Sequence, residues 1–460
     1  MPIEVHSEAA KSFDCKAEGL LPKLTPHPRP SRRRVAGGFR PDTHVSAVIP
    51  QEDIIGEVQA TSQIVDQDGT EVGRYFEHGQ GMVGLVGDSF SELVRLAEAM
   101  GKTPALRDTA STGFLIDSIF AWMQGKLAGS VESGMTKYVL ARCEEQIQEV
   151  ELWLPIAWLN IESDIRLGRT TFRTISRRML DEWQARIPAF EDAETQARVE
   201  HALERERHQL LGFAAAVVQT RAEPQKASEV AFAEAERAVS LLRFFSPANF
   251  STRRVSYCTL MGRELLGGYE CLTVKEGKIV LHESGALERN EPSWRISNAK
   301  LAEIGGALGV LGGLLEPEKQ TEFQGAVLDA LLLYSKSSLA KEYADKLVYI
   351  LVALESLLLK DSNEPIQKSL GERMAVLVGR TVDERLAVIK NVTDTYRLRS
   401  QFIHHGQSIG IDDVQTLQTF MVNTWQCLYG IAVGNSTRFD SKPKFLDALE
   451  RVRLSGGAAA

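Results

Sequence analysis

The chain has 460 residues, of which 43% are hydrophobic and 25% charged, so it has the apolar material for more than one core and is not disordered throughout. Its formal net charge of -8 disfavours sequence-independent capture of a phosphate backbone, and nucleic-acid contact is expected only at a local cleft or a basic arm. The cysteines stand singly with no CxxC spacing, which argues against a zinc knuckle or a redox pair. A reducing, cytoplasmic environment is therefore expected.

The termini and apolar runs predict no membrane segment. The N-terminal sequence "MPIEVHSEAAKSFDC" lacks the apolar core and cleavage site of a signal peptide. The longest apolar run, "LVYILVALESLLL" at 347–359, is broken by Glu355 and is too short to span a bilayer. We therefore expect a buried helix here and no membrane association.

Residues 1–42 predict a flexible basic arm, because prolines and five arginines follow one another with little periodicity. Such a run is usually a solvated tail, although it could contact RNA or an acidic surface. From about 43 to 85, "HVSAVIP", "GEVQATSQIV" and "TEVGRYF" predict short strands separated by turn signals.

The rest of the region 43–304 predicts a mixture of helices and a hairpin. Helices are expected from "SFSELVRLAEAM" through "GMTKYVLARCEEQIQEV", and again over "ETQARVEHALERERHQLLGFAAAVVQT". The segment "YECLTVKEGKIVLHES" alternates about a central Glu-Gly and predicts a β-hairpin. We find no catalytic motif in this α+β region. The pattern leaves open whether the region forms one or two subdomains.

The glycine-rich segment 305–319 predicts a domain boundary, and residues 320–435 predict a bundle of four or five helices. One helix or a helix pair is expected over 321–359, and another after Pro365. A third is expected from Thr381, with Glu384 completing a capping box, to His405 before Gly406. The fourth begins at Asp412, and residues 436–460 are expected to form a tail. The predicted fold class is thus α+β, with an all-α C-terminal bundle.

The third helix carries an arginine where its pattern calls for an apolar residue. Ile389, Val392, Tyr396, Arg399 and Ile403 recur at helical spacing and share one face. A buried guanidinium needs a counter-charge or a wet cleft. The matching carboxylate is Glu355, for which Arg373, Arg397 and Arg399 are candidate partners. We predict a structural ion pair between Glu355 and Arg373.

Arg399 and His404 are the predicted catalytic pair. His404 lies five residues beyond Arg399, about 7 to 8 Å along a helix axis, so both side chains can reach one phosphate if the last turn unwinds. Histidine transfers protons near neutral pH, and arginine stabilises charge on a phosphorane. A plain alternative exists, because histidines in a last helical turn commonly satisfy terminal carbonyls. A zinc site is not expected, since no acidic ligands accompany the His404–His405 pair.

The segments "YILVALESLLL", "LGERMAVLVG" and "YRLRSQFIHHG" resemble the HEPN superfamily, most closely the Apea-like HEPN domains of bacterial defence proteins. The superfamily motif is an arginine, usually a polar residue next, and a histidine several residues later. Here these are Arg399, Ser400 and His404, with His405 also within range. The sequence departs from many nuclease members at Ser400, where Asn, Asp or His is common. The resemblance covers only about residues 320–435.

The resemblance implies a helical bundle that forms a homodimer or larger homo-oligomer, in which two motifs make one cleft. It also implies metal-independent RNase activity in many members, so the leading hypothesis is a regulated defence or toxin-type endoribonuclease without a cofactor. Ser400, His405 and Arg397 would support catalysis or hold RNA. By the same resemblance, residues 43–304 would be an α+β sensing or regulatory region through which an unknown trigger acts. The alternative is a non-catalytic dimerisation or binding module, in which Arg399 and His404 are structural and tied to Glu355.

Overall fold

The computed structural model describes residues 3–27, 62–261, 269–284, 294–405 and 411–455, apart from residues 67, 80, 188, 190, 191, 257, 276, 277, 317, 319 and 362. Within these residues the helices are α1 (Ser7–Leu20), α2 (Asp88–Gly101), α3 (Thr112–Leu127), α4 (Met135–Gln146), α5 (Arg177–Gln184), α6 (Ala193–Leu210), α7 (Pro224–Arg243), α8 (Asn298–Gly313), α9 (Glu322–Ser337), α10 (Tyr343–Leu358), α11 (Ile366–Val378), α12 (Val382–His405), α13 (Ile411–Tyr429) and α14 (Lys442–Ser455). The strands are β1 (Thr25–Pro26), β2 (Ser62–Val65), β3 (Glu71–His78), β4 (Gly81–Val86), β5 (Gln148–Ala157), β6 (Leu159–Ile161), β7 (Ile165–Leu167), β8 (Thr170–Thr174), β9 (Ala214–Ala222), β10 (Thr259–Leu260), β11 (Tyr269–Lys275), β12 (Lys278–Ser284) and β13 (Trp294–Ile296). The fold is α+β, as predicted.

The chain divides into two compact units. The first contains residues 1–152, 183–209 and 219–231, and the second contains 153–182, 210–218 and 232–460. This division differs from the predicted boundary at 305–319. That glycine-rich segment lies largely in helix α8, and Gly312 allows this helix to approach the backbone of Gly168 in the β7–β8 turn, where a Cβ would lie 3.1 Å from the Gly168 nitrogen. Gly312 therefore serves close packing, and the segment is helical rather than a linker.

In the first unit, helices α1 to α4 enclose an apolar core beside a four-stranded antiparallel sheet of order β1-β4-β3-β2. Helix α2 turns Phe90, Leu93, Ala97 and Met100 into this core, at the spacing of a single helix face. Helices α2 and α4 and strands β2 and β3 lie in the segments predicted for them, although the predicted helix through "QIQEV" ends at Gln146 and strand β5 begins at Gln148. Strand β4 follows the last predicted strand segment and was not predicted. The segment "HVSAVIP" lies outside the described residues.

Helix α1 corrects the prediction that residues 1–42 form a flexible arm. It buries Phe13, Ala17 and Leu20, which share a helix face and join the core of the first unit. The arginine-rich part of the predicted arm lies outside the described residues. The error arose because Pro and Arg farther along dominated the composition of the window, whereas burial of one apolar face stabilises the helix.

A five-stranded sheet has the order β10-β5-β9-β8-β7, with most of its residues in the second unit. That unit also contains the predicted β11–β12 hairpin and a short parallel pair of β6 with β13. The prediction of continuous helix over 194–220 is wrong at its end. Helix α6 stops at Leu210, Gly212 adopts a φ of +86°, and "AAAVVQTRA" then forms strand β9. Alanine has high helix propensity, but this run is buried in the sheet, and tertiary burial overrides propensity.

Helices α9 to α13 form the predicted bundle, with 321–359 forming a helix pair rather than one helix. Phe323, Leu354, Met374, Val392 and Phe420 contribute a fully buried side chain from each of these helices in turn. Residues 436–460 are not simply a tail, because α14 packs against α11 and buries Phe445, Leu446 and Leu449. Between α13 and α14, residues Gly430–Asn435 form a π-helical turn.

Candidate active site

Helix α12 begins at a capping box, as the sequence predicts. The Thr381 hydroxyl accepts a hydrogen bond from the Glu384 backbone N–H at 3.2 Å, and the Glu384 carboxylate accepts from the Thr381 N–H at 3.2 Å. The same carboxylate accepts from the Arg380 N–H at 2.6 Å. These bonds satisfy backbone donors that the first helical turn leaves open, and they lower the pKa of Glu384.

The predicted apolar face of α12 packs inward and brings Arg399 to the edge of the bundle core. Val392 and Tyr396 are buried, whereas Arg399 is half-buried. The Nε of Arg399 is buried and has no hydrogen-bond partner among the described residues. Its guanidinium makes no ion pair, at a nitrogen–oxygen distance of 4.0 Å or less, with any residue that the structure describes. The described residues therefore leave the charge of Arg399 without a bonded carboxylate.

The carboxylate of Glu355 on α10 is bound by a tyrosine rather than by an arginine. The Tyr396 hydroxyl donates to Glu355 Oε1 at 2.6 Å. Burial first, and then the bonded Glu355 carboxylate, raise the pKa of Tyr396 above its ordinary value, while the nearby Arg399 charge opposes this rise. Arg399 is thus within electrostatic reach of the Tyr396–Glu355 pair but is not bonded to it.

The predicted ion pair between Glu355 and Arg373 is corrected by the structure. Arg373 on α11 instead binds both carboxylate oxygens of Glu364 at 2.7 Å and donates to the Leu358 carbonyl at 2.5 Å. The bound Arg373 guanidinium lowers the pKa of Glu364 to about 2. Glu364 lies just before α11, so it can meet a side chain two turns into that helix.

Of the remaining predicted site residues, the structure describes the side chains of Arg397 and Ser400 but not those of His404 and His405. Arg397 is exposed, and its Nη2 lies 3.7 Å from Oδ1 of Asp394. Ser400 is also exposed. His404 and His405 are the last residues of α12, but their side chains lie outside the described residues, as does Gly406. Convergence of Arg399 and His404 on one phosphate therefore stays a prediction.

Two residues at this site were missed as functional candidates. Tyr396 occupied an expected apolar slot, and only its hydroxyl distinguished it from a core phenylalanine. Glu364 stood in a polar stretch before Pro365 and showed no pattern. The available signal was that half-buried Glu355 and buried Arg373 each need a polar or charged partner.

Within the described residues, no group of three or more His, Cys, Asp or Glu side chains is arranged to hold a metal ion. None of the described helices combines the length and apolar character needed to cross a membrane. Comparisons with models of protein families, with curated proteins and with solved structures give no match.

Proposed function

We propose that this protein is a metal-independent endoribonuclease of the HEPN type, acting as a regulated defence or toxin-type effector. The observation that carries the proposal is the half-buried Arg399, whose Nε lacks a hydrogen-bond partner within the described chain. Glu355, the carboxylate predicted as a partner of Arg399, instead accepts a hydrogen bond from the Tyr396 hydroxyl. An arginine in this state suits a phosphate substrate.

In the proposed reaction, the RNA 2′-oxygen attacks the adjacent phosphorus while the 5′-oxygen of the next nucleotide leaves. His404 accepts the proton of the 2′-hydroxyl or supplies a proton to the leaving oxygen. Arg399 stabilises the charge that develops on the equatorial phosphorane oxygens. The products are a 2′,3′-cyclic phosphate and a 5′-hydroxyl. Pairing of two bundles in a homodimer would supply a second Arg399–His404 pair to the same cleft.

The supporting residues have narrower proposed roles. Exposed Arg397 and Ser400 lie within two residues of Arg399 in sequence and would hold the RNA backbone or orient a catalytic group. His405 would assist RNA binding. The non-catalytic alternative, in which Arg399 and His404 are structural and tied to Glu355, is tested by the same variants.

The decisive experiment incubates purified protein with total cellular RNA in EDTA, beside Arg399→Ala and His404→Ala. We expect wild type to cleave and each variant to lose about 100-fold or more of its rate, since each loses a group that acts on the transition state. Sequencing of the ends should show 2′,3′-cyclic phosphates. Circular dichroism and light scattering should show an unchanged fold and oligomeric state.

The matched control is Lys390→Ala. Lys390 is an exposed cation on the same helix, nine residues before Arg399, so it tests whether loss of any positive charge on α12 slows cleavage. We expect Lys390→Ala to cleave at the wild-type rate. If Arg399→Ala and His404→Ala both cleave as fast as wild type, the bundle is a non-catalytic module.

A further inference from the structure

A cleft separate from Arg399 opens at the opposite end of α12. It has a volume of about 740 Å³ and lies between the end of α11, the first turns of α12 and the C-terminal half of α13. Its lining includes Gly379, Ala387, Asn423 and Tyr429. We call it the α11–α13 cleft. Its volume is in the range of small-molecule sites.

A column of stacked aromatic rings ends in this cleft. The buried Phe244 ring stacks on Trp425 with centroids 5.5 Å apart and planes 19° from parallel. Trp425 stacks in turn on Tyr429 at 5.0 Å and 26°. The Trp425 indole N–H donates to the Phe244 carbonyl at 2.9 Å, which fixes the middle ring. Tyr429 is half-exposed and lines the cleft, so a planar ligand ring can extend the column.

Amide groups stand beside the end of the column. The Asn423 Nδ2 donates to Asn391 Oδ1 at 3.1 Å, and Asn391 is itself held by the Thr416 carbonyl at 2.9 Å. These two hydrogen bonds fix the orientation of the Asn423 amide and leave its Oδ1 able to accept a hydrogen bond from a ligand. Gln426 is exposed, lines the cleft and makes no hydrogen bond to any described residue. Carboxamides of this kind match the donor and acceptor edges of a nucleobase.

The charges at the cleft oppose each other. Arg380 contributes an exposed guanidinium, and Glu384 contributes a carboxylate held by the backbone at the start of α12. A site with one charge of each sign gives little net attraction for a phosphate. Stacking and hydrogen bonding to a ring are the interactions that this lining favours.

We propose that the α11–α13 cleft binds one nucleobase, stacked on Tyr429 and bonded through its edge to Asn423 and Gln426. The base belongs either to a free nucleoside or nucleotide or to a nucleotide within single-stranded RNA. Ala387 in the cleft lies twelve residues before Arg399 on α12, about 18 Å along the helix axis. The cleft therefore lies away from Arg399, and the proposal does not depend on ribonuclease activity.

The test measures binding by isothermal titration calorimetry. Adenosine, guanosine, cytidine and uridine are titrated into the full chain, and single-stranded six-nucleotide RNAs of each base are titrated into His404→Ala, which prevents the proposed cleavage. We expect saturable binding of at least one base. Tyr429→Leu should weaken it about 5- to 150-fold, the range for stacking of a base on an aromatic ring, whereas Tyr429→Phe should retain it.

Further variants keep the test independent of folding and of the proposed nuclease. Gln426→Ala changes an exposed side chain, so it should fold normally and weaken binding even if Tyr429→Leu does not fold. Arg399→Ala should bind nucleosides as wild type does, whether or not it cleaves RNA. Binding of nucleosides identifies a free ligand, and binding of the RNAs alone identifies a base within a strand. Absence of both, or wild-type affinity in Gln426→Ala and a folded Tyr429→Leu, overturns the proposal.

Discussion

Arg373 and Glu364 show how the second unit accommodates a buried charge. The Arg373 side chain is 10% exposed and the Glu364 side chain 19%, and two hydrogen bonds of 2.7 Å join them. The Leu358 carbonyl oxygen accepts a further hydrogen bond from the Arg373 guanidinium. Because the guanidinium is bound on both sides, removal of the carboxylate would leave a poorly solvated cation between α10 and α11.

We predict that Glu364→Gln lowers the free energy of unfolding by about 2 kcal/mol at pH 7, since a hydrogen-bonded charge pair is replaced by a weaker neutral acceptor. Urea unfolding followed by circular dichroism measures the change. The matched control is Glu182→Gln, in the exposed i,i+4 pair with Arg178, where the loss should stay below about 0.5 kcal/mol. Equal losses in the two variants would contradict a special role for Glu364.

The same pair gives a pH dependence of defined sign. The pKa of Glu364 is about 2 in the folded chain, below its ordinary 4.5, so the unfolded chain binds the proton first as the pH falls. The contribution of Glu364 is complete above about pH 4.5 and declines as the pH falls toward 2. The stability difference between wild type and Glu364→Gln should therefore shrink over that window. A constant difference from pH 7 to pH 2 would exclude the pairing.

Local sequence patterns predicted the elements whose signals lie within the element itself. The capping box of Thr381 and Glu384, the hairpin β11–β12 and the start of α11 after Pro365 each depend on a few neighbouring residues. Helix α8 and strand β9 were misread because their form depends on packing against distant segments. The sequence likewise indicated that Glu355 needs a partner and that Arg399 needs a partner or a wet cleft. It could not show that Tyr396 would bind Glu355, because the two residues lie 41 positions apart in the sequence and on different helices.

Helix α14 is the element whose packing is easiest to test. The Phe445 side chain is 1% exposed, and its ring lies 4.8 Å from that of Phe323 on α9. We predict that Phe445→Ala lowers the free energy of unfolding by about 3 to 5 kcal/mol, as for other large aromatic side chains removed from a core. Leu454→Ala on the same helix removes a side chain that is 75% exposed. This variant should change the free energy of unfolding by less than about 0.5 kcal/mol.

Chemical denaturation of both variants at one pH distinguishes a packed helix from a dispensable tail. A free energy of unfolding of Phe445→Ala equal to that of Leu454→Ala would restore the original expectation for residues 436–460. The comparison is matched, because both changes shorten an apolar side chain to alanine on α14. They differ chiefly in burial, which is the quantity under test.

The division of the whole chain could not be obtained from composition. Each compact unit is assembled from segments far apart in sequence: residues 183–209 and 219–231 join the first, and residues 153–182 and 210–218 join the second. A boundary drawn at one glycine-rich segment assumes that domains follow one another along the chain. Here the chain passes between the units several times, so only long-range contacts reveal the division.

The net charge of -8 sets the expectation for how the whole molecule meets RNA. An acidic chain repels a polyanion, so the proposed nuclease should bind RNA through a few local cations such as Arg397 and Arg399. Two such cations from each subunit of a dimer neutralise about four phosphates. We therefore predict that the logarithm of the association constant falls with the logarithm of salt concentration with a slope of about -3.

Fluorescence anisotropy of a labelled single-stranded RNA with His404→Ala, over a series of salt concentrations, measures this slope without cleavage. The control replaces the five arginines between residues 29 and 40 with glutamine. If the site on α12 supplies the contacts, this variant should keep both the slope and the affinity of its parent. A slope steeper than about -6 that falls when those arginines are replaced would instead assign RNA capture to the basic segment, because each phosphate contact on a single strand contributes about -0.7.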